Sequence, residues 1–321
     1  MRAIQVSKYV DGPAALSVTT LPTPQPSPTH YQIKIHATGT NFFDLLQISG
    51  KYQHQPPLPW ISGSEFAGTV LATPTTTPKG GHRFKVGDRV FGASQGAYAT
   101  HILAPEATLF PIPKGWSFKD ACGLYVTAPT GYGALIAKAL GATVIATAGS
   151  ERKRQVCLDY GADYVIDYRD STWPQKVIAL TQQHRQGNGK QGVDVVYDPV
   201  GLIDASIKCI AWNGRLVVIG FTGGSIEKVA TNRVLLKNIS ILGLHWGMYA
   251  SKEKETVPKV WNGIFDLINT GKFKSIVYTD KQYLGLEDVP KALIALGSRA
   301  TWGKVVVELR EDEGEEPKSK L

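Results

Sequence analysis

The chain has 321 residues, 43% of them hydrophobic and 19% charged, and carries a formal net charge of +8. That length favours two domains over one, the composition is that of a globular protein, and no apolar run is long enough for a membrane helix. Residues 311–321 hold five acids and two lysines, a net −3, so the rest of the chain carries about +11. A basic body attracts polyanions. The sequence lacks both aromatic-basic interleaving and zinc-finger spacing, however, which sets nucleic acid aside as the main partner. Cys122, Cys157 and Cys209 are odd in number and far apart, so a disulfide framework is not expected.

The opening MRAIQVSKYV alternates as a strand does and lacks the pattern of a secretory leader. Residues 1–125 are rich in strand signals. YQIKIHATG alternates and ends at a glycine, residues 22–28 form a proline-rich connection, and GGHRFKVGD is a turn leading into the strand RVFG. Many short strands of this kind predict a small twisted β-barrel. From about Val126 to Asn269 the pattern changes. VDVVYD (193–198) and RLVVIG (215–220) alternate with helical stretches. Their near-continuous apolar character predicts a parallel sheet covered on both faces. From 276 to 309 a strand, a helix and a strand return to the first domain. The expected class is therefore α/β, with one domain from residues 1–125 and 276–310, a second from 126–275, and an acidic, disordered tail at 311–321.

Residues 141–168, GATVIATAGSERKRQVCLDYGADYVIDY, carry the most chemical information. A short strand around Val144 and Ile145 is closed by Gly149 and Ser150. Arg152, Lys153 and Arg154 then fall in the first turn of a helix, where the helix dipole is already positive. Cations at that end point to an expected anion. In a dinucleotide-binding fold this turn faces the adenosine ribose, and an acidic residue would hold the 2′-hydroxyl of NAD. Gly149, Ser150 and Lys153 suit the 2′-phosphate of NADP instead. The plainer alternative is a solvated helix start with scattered charge. Upstream, VTAPTGYGALIAKALG (126–141) is one helical pattern with no strand before it. Gly131-Tyr132-Gly133 lacks a third glycine and makes a poor phosphate loop.

The chain resembles the zinc-free quinone oxidoreductases, the zeta-crystallin-like group of the medium-chain dehydrogenase/reductase superfamily. The likeness runs to about Leu309. It rests on ATGTNFFDLLQISGKY (37–52), GSEFAGTV (63–70), VGDRVFG (86–92), GAYATHILAP (96–105), the NADP turn, VDVVYDPVG (193–201), GRLVVIGF (214–221) and GKVVVEL (303–309). The zinc alcohol dehydrogenases of that superfamily carry a cysteine near the Gly39–Asn41 turn and a Gly-His-Glu further on. Here those places read Gly39-Thr40-Asn41 and Gly63-Ser64-Glu65, so no metal is expected.

The resemblance implies a GroES-like β-barrel domain beside a Rossmann-type parallel sheet domain. It also implies NADPH as cofactor and hydride transfer to quinones or α,β-unsaturated carbonyl compounds, whose acceptor oxygen needs only a hydrogen bond. Asn41 and Tyr52 match polar residues of the family's cleft. Tyr52 either donates to the acceptor oxygen or packs against the barrel. Thr127 matches a contact to the nicotinamide amide. Gly149, Ser150, Lys153 and Tyr168 match the adenosine-phosphate pocket. Gly220 and Phe221 match the middle of the dinucleotide, His245 and Trp246 its nicotinamide end, and Lys304 a C-terminal contact. A homodimer through ISILGL (239–244) follows from the same likeness.

Against the family pattern, Leu135 runs straight into Ile136. Roughly 25–30 residues are missing, the size of one strand-loop-helix unit. The sheet domain is thus expected to lack its first βα unit, including the central strand and the loop that cradles the pyrophosphate. Weak NADPH binding is the expectation. The chain ends in Ser319-Lys320-Leu321, the form of a peroxisomal import signal, which predicts the import receptor as partner and a peroxisomal location, with the cytoplasm as alternative. Competing readings are an enoyl-CoA or enoyl-thioester reductase of the same superfamily, and an inactive remnant that binds RNA or a protein partner.

Overall fold

A computed structural model describes residues 1–131, 133–184 and 191–310. The acidic tail with Ser319-Lys320-Leu321, and Tyr132 of the Gly-Tyr-Gly triplet, lie outside the described residues. The described chain divides into two compact units, residues 1–128 with 275–310, and residues 129–274.

The first unit is built from short strands with helical connections. In chain order these are β1 (Arg2–Val6), β2 (Val18–Thr20), β3 (His30–Gly39), α1 (Phe42–Ile48), β4 (Trp60–Ile61), β5 (Glu65–Ala72), β6 (Arg89–Ala93), β7 (His101–Pro105), β8 (Leu109–Pro111) and α2 (Phe118–Cys122). Helix α3 (Leu124–Gly131) carries the chain across the boundary between the units. The second unit contains α4 (Gly133–Ala139), β9 (Ile145–Thr147), α5 (Glu151–Asp159), β10 (Tyr164–Ile166), α6 (Trp173–His184), β11 (Val193–Asp198), α7 (Ile203–Cys209), β12 (Ile210–Val218), α8 (Thr231–Lys237), β13 (Ser240–Gly243), α9 (Tyr249–Lys252) and α10 (Thr256–Asn269). The chain then returns to the first unit with β14 (Tyr283–Leu284), α11 (Val289–Gly297) and β15 (Val306–Glu308).

Strand β3 organises the barrel. It pairs antiparallel with β5, β7 and β15, and the sheet runs β14-β15-β3-β5-β6-β8. Its residues alternate between half-buried and buried, as its sequence requires, until the last three are all enclosed. Tyr31, Ile33 and Ile35 enter one core with Phe66, Val70 and Val90. A second core joins Ile4, Ile48 and Trp60 to Leu286, Val289 and Leu293, so the returning segment closes the barrel. Gly68 shows how tightly β5 lies on β3: a Cβ there would stand 2.2 Å from the Lys34 carbonyl oxygen.

The second unit has a parallel sheet in two pieces. One piece is β10-β9, the other β11-β12-β13. Helix α6 packs below both through Trp173 and Val177, which meet Ile145, Ile166 and Val193. Among the described residues no strand pairs with β9 other than β10, and none with β11 other than β12. The sequence predicted strands covered on both faces, but Val195 of β11 is 48% exposed and no residue of β9 is fully buried. The apolar pattern is that of interior strands, and here their open edges have no neighbour. Among the described residues no helix is long and apolar enough to cross a membrane.

Candidate functional site

The barrel unit holds a buried polar cluster where β3 ends. After Gly39 the chain turns through Thr40 and Asn41 into α1, and both turn residues are buried. Asn41 precedes the first helical residue, and its backbone N–H donates to the Asp44 carboxylate at 2.8 Å. This half of a capping box fixes the turn. The Tyr98 hydroxyl donates to the same Asp44 oxygen at 2.6 Å. Glu65 opens β5, which lies beside β3, and is fully buried. The Lys304 ammonium reaches both turns, donating to Glu65 Oε2 at 2.5 Å and to Asn41 Oδ1 at 2.7 Å. The Asn41 amide nitrogen in turn donates to Glu65 Oε2 at 3.3 Å.

A slot is shaped for the lysine. A Cβ on Gly39 would stand 2.8 Å from Lys304 Cε, and one on Gly123 would stand 2.4 Å from its Cγ. The other Glu65 oxygen accepts from the Val126 backbone N–H at 2.9 Å, in the first turn of α3. A carboxylate there meets the positive end of the helix dipole. Thr127 follows, and its hydroxyl donates to the Gly123 carbonyl. Tyr52 is half-buried, with its ring stacked on Phe43 at 5.5 Å between centroids. Burial, reinforced by Asp44, raises its phenol above the usual tyrosine range. Lys304, expected as a cofactor contact, has its ammonium committed to Glu65 and Asn41. The structure thus joins Asn41 to Lys304, and brings Thr127 close through Glu65. Asp44 and Tyr98 carry no local sequence sign of belonging to this cluster, and Glu65 shows only as a departure from the zinc pattern.

Burial pushes Asp44 up to about 7. Its hydrogen bonds from Tyr98 and Asn41 and the Lys304 charge oppose the shift, and Glu65 adds to it. The folded state therefore binds the extra proton between the ordinary value of 3.8 and about 7. Stability from this group is full below that window and is lost as pH rises through it. Asp44→Asn keeps an oxygen to accept from Tyr98 and Asn41 and removes the titration. Thermal melts at pH 5 and pH 8 are expected to show a smaller loss for the variant, by a few degrees. An identical loss in both proteins would assign the pH dependence to other groups.

In the second unit, each predicted residue follows the carboxyl end of a parallel strand, where open α/β sheets bind ligands. Gly149 and Ser150 follow β9, and Tyr168 follows β10. A Cβ on Gly149 would stand 2.8 Å from the Tyr168 hydroxyl oxygen, so only glycine lets this tyrosine lie over the turn. The Ser150 side chain caps α5 by accepting from the Lys153 backbone N–H at 3.3 Å. Gly149, Ser150 and Tyr168 thus meet at one helix start, whose first turn also carries Glu151 and Lys153. Arg154 of the expected cationic cluster is paired within the protein. Its guanidinium is answered by Asp167 at 2.7 Å and by Glu151.

Gly220 and Phe221 follow β12 and lie beside the turn after β11. The Phe221 ring stands 3.3 Å from a Cβ built on Gly201. Asp198 holds that turn by accepting from the Val200 and Gly201 N–H groups at 2.8 Å each. Its second carboxylate oxygen is buried, with no partner among the described residues. His245, exposed, and Trp246, stacked on Tyr249, follow β13. The described residues include no cluster of three or more histidine, cysteine, aspartate or glutamate side chains able to hold a metal.

Residues 131–265 match the family of zinc-binding dehydrogenases, and residues 27–114 match the alcohol dehydrogenase GroES-like domain. Quinone oxidoreductase-like protein 2 of Mus musculus is 32% identical, over 89% of this chain and 87% of the relative. The quinone oxidoreductase of Salmonella typhimurium is 31% identical, over 91% of this chain and 95% of the relative. Among solved structures, Escherichia coli quinone oxidoreductase complexed with NADPH aligns with a TM-score of 0.79 at 28% identity, covering 96% of this chain and 100% of that one. A mycobacterial protein complexed with NADPH aligns with a TM-score of 0.82, also at 28% identity, covering 96% and 99%. With a GroES-like barrel, a Rossmann-like parallel sheet and a lysine ammonium bridging the Gly39–Asn41 and Gly63–Glu65 turns, the chain belongs to the zinc-free, quinone oxidoreductase-like group of the medium-chain dehydrogenases/reductases.

Proposed function

We propose that the chain is an NADPH-dependent reductase of quinones or α,β-unsaturated carbonyl compounds that works without zinc. The observation that carries this reading is the helix start at Ser150, where Gly149 seats Tyr168 over the turn and Glu151, the acid of the first helical turn, is paired with Arg154. That environment favours the 2′-phosphate of NADPH over the free 2′-hydroxyl of NADH. NADPH, which the related Escherichia coli and mycobacterial structures contain, would supply the hydride. Asn41, held by Lys304, and the Tyr52 phenol present hydrogen bonds to the acceptor oxygen. The raised phenol of Tyr52 stays protonated at neutral pH and is able to donate.

Following NADPH oxidation with a quinone, and then with an enoyl-CoA, separates this reading from an enoyl-thioester reductase. Turnover of the quinone is expected, with NADPH preferred to NADH. Turnover of only the enoyl-CoA would transfer the chain to the rival class. A stable fold with no NADPH turnover would favour a partner-binding role.

A second element of the proposal is weak NADPH binding, because the loop that would cradle the pyrophosphate is missing between Leu135 and Ile136. The two-piece parallel sheet supports this. A homodimer through β13 is supported by its open edge among the described residues and by the exposure of Leu242.

A further inference from the structure

We infer that Glu65 and Lys304 act as one positioning unit for the reducing site, a role that rests on the reductase reading above. Three segments far apart in sequence meet on the Glu65 carboxylate. The Asn41 turn and Lys304 share one oxygen, and the start of α3 takes the other. Asn41 and Thr127 are the residues expected to face the acceptor and the nicotinamide, and neither is fixed by its own local sequence alone.

Lys304 sets the orientation of the Asn41 amide. Its ammonium is a donor only, so the amide must turn its oxygen toward Lys304 and its nitrogen toward Glu65. One amide hydrogen is then left to point elsewhere. Glu65 sets the height of α3 by capping the Val126 N–H, which precedes Thr127. The lysine stem, lodged between Gly39 and Gly123, ties the same two segments together along its length. The buried pair thus gives the site a fixed cation and a fixed anion, and both orient neighbours without touching substrate. Displacements on the order of 1 Å in such positioning groups cost about 100-fold in rate.

The test uses the full chain. Lys304→Met alone leaves a buried carboxylate without its cation and can unfold, so the informative form is Glu65→Leu with Lys304→Met, which removes both charges. Two measurements apply. Hydrogen exchange of the 123–131 segment reads the capping of α3, and steady-state kinetics with NADPH and a quinone read the site. The expected result is a folded double variant whose Val126 and Thr127 amides exchange at least tenfold faster. Its kcat is expected to fall 10- to 100-fold, with the KM for NADPH within about threefold of the parent. Unchanged exchange together with unchanged kcat would overturn the inference. If the parent itself does not oxidise NADPH, the reductase reading fails, and the exchange measurement still decides whether Glu65 holds the start of α3.

Discussion

Lys304→Met is expected to destabilise the barrel unit by about 3–5 kcal/mol, the cost of stripping one partner from a buried ion pair. Lys304 is 4% exposed and Glu65 is 0% exposed, so water does not replace the missing charge. The effect is electrostatic and not steric, since methionine follows the lysine stem through the slot between Gly39 and Gly123. Removing both charges with Glu65→Leu and Lys304→Met is expected to recover only part of the loss, because it removes the unpaired buried charge but takes both partners from the buried Asn41 amide. Urea unfolding followed by tryptophan fluorescence reads both variants. A Lys304→Met midpoint equal to that of the parent would mean that the pair is solvated and contributes as a surface bridge does, about 0–1 kcal/mol.

This cluster also marks the limit of what sequence can convey. Local rules located β3, the turn at Ser150 and helix α5, because an alternating strand and a serine cap act over a few residues. The same rules placed Gly149 and Tyr168 at one turn only through the family pattern, and the reason, a missing Cβ beneath a phenol, is spatial. Glu65 was legible only as a departure from a zinc motif. Its partners lie 24, 61 and 239 residues away, so no periodicity announces them. Arg154 erred in the opposite sense. It looked like part of an anion site because its two neighbours are cations, but its guanidinium turns to Asp167 at the end of the next strand. Charge written along a helix start gives the count of cations and not their partners. The strand, turn and helix around Ser150 were therefore readable, while the partners of the charges there were set by tertiary packing.

Inserting a strand, a glycine-rich loop and a helix between Leu135 and Ile136 is expected to tighten NADPH binding at least tenfold. Hydrogen bonds to a charged phosphate contribute about 1.5–3 kcal/mol each, and a factor of ten needs about 1.4 kcal/mol. One backbone donor added at the pyrophosphate is enough. The insertion also supplies a strand to the open edges of β9 and β11, where Val195 is now 48% exposed. About five newly buried apolar side chains at roughly 2 kcal/mol each would add about 10 kcal/mol of burial to the second unit. That is comparable with the whole stability of a typical domain, about 5–15 kcal/mol. Calorimetric titration of NADPH against both forms reads the affinity, and thermal melting reads the sheet. Equal affinity with a higher melting temperature would mean that the helix start at Ser150 holds the cofactor unaided. In that case the inserted unit would matter for cohesion of the sheet and not for recognition, since a strand added beside β9 and β11 can stabilise them without contributing any donor to the phosphates.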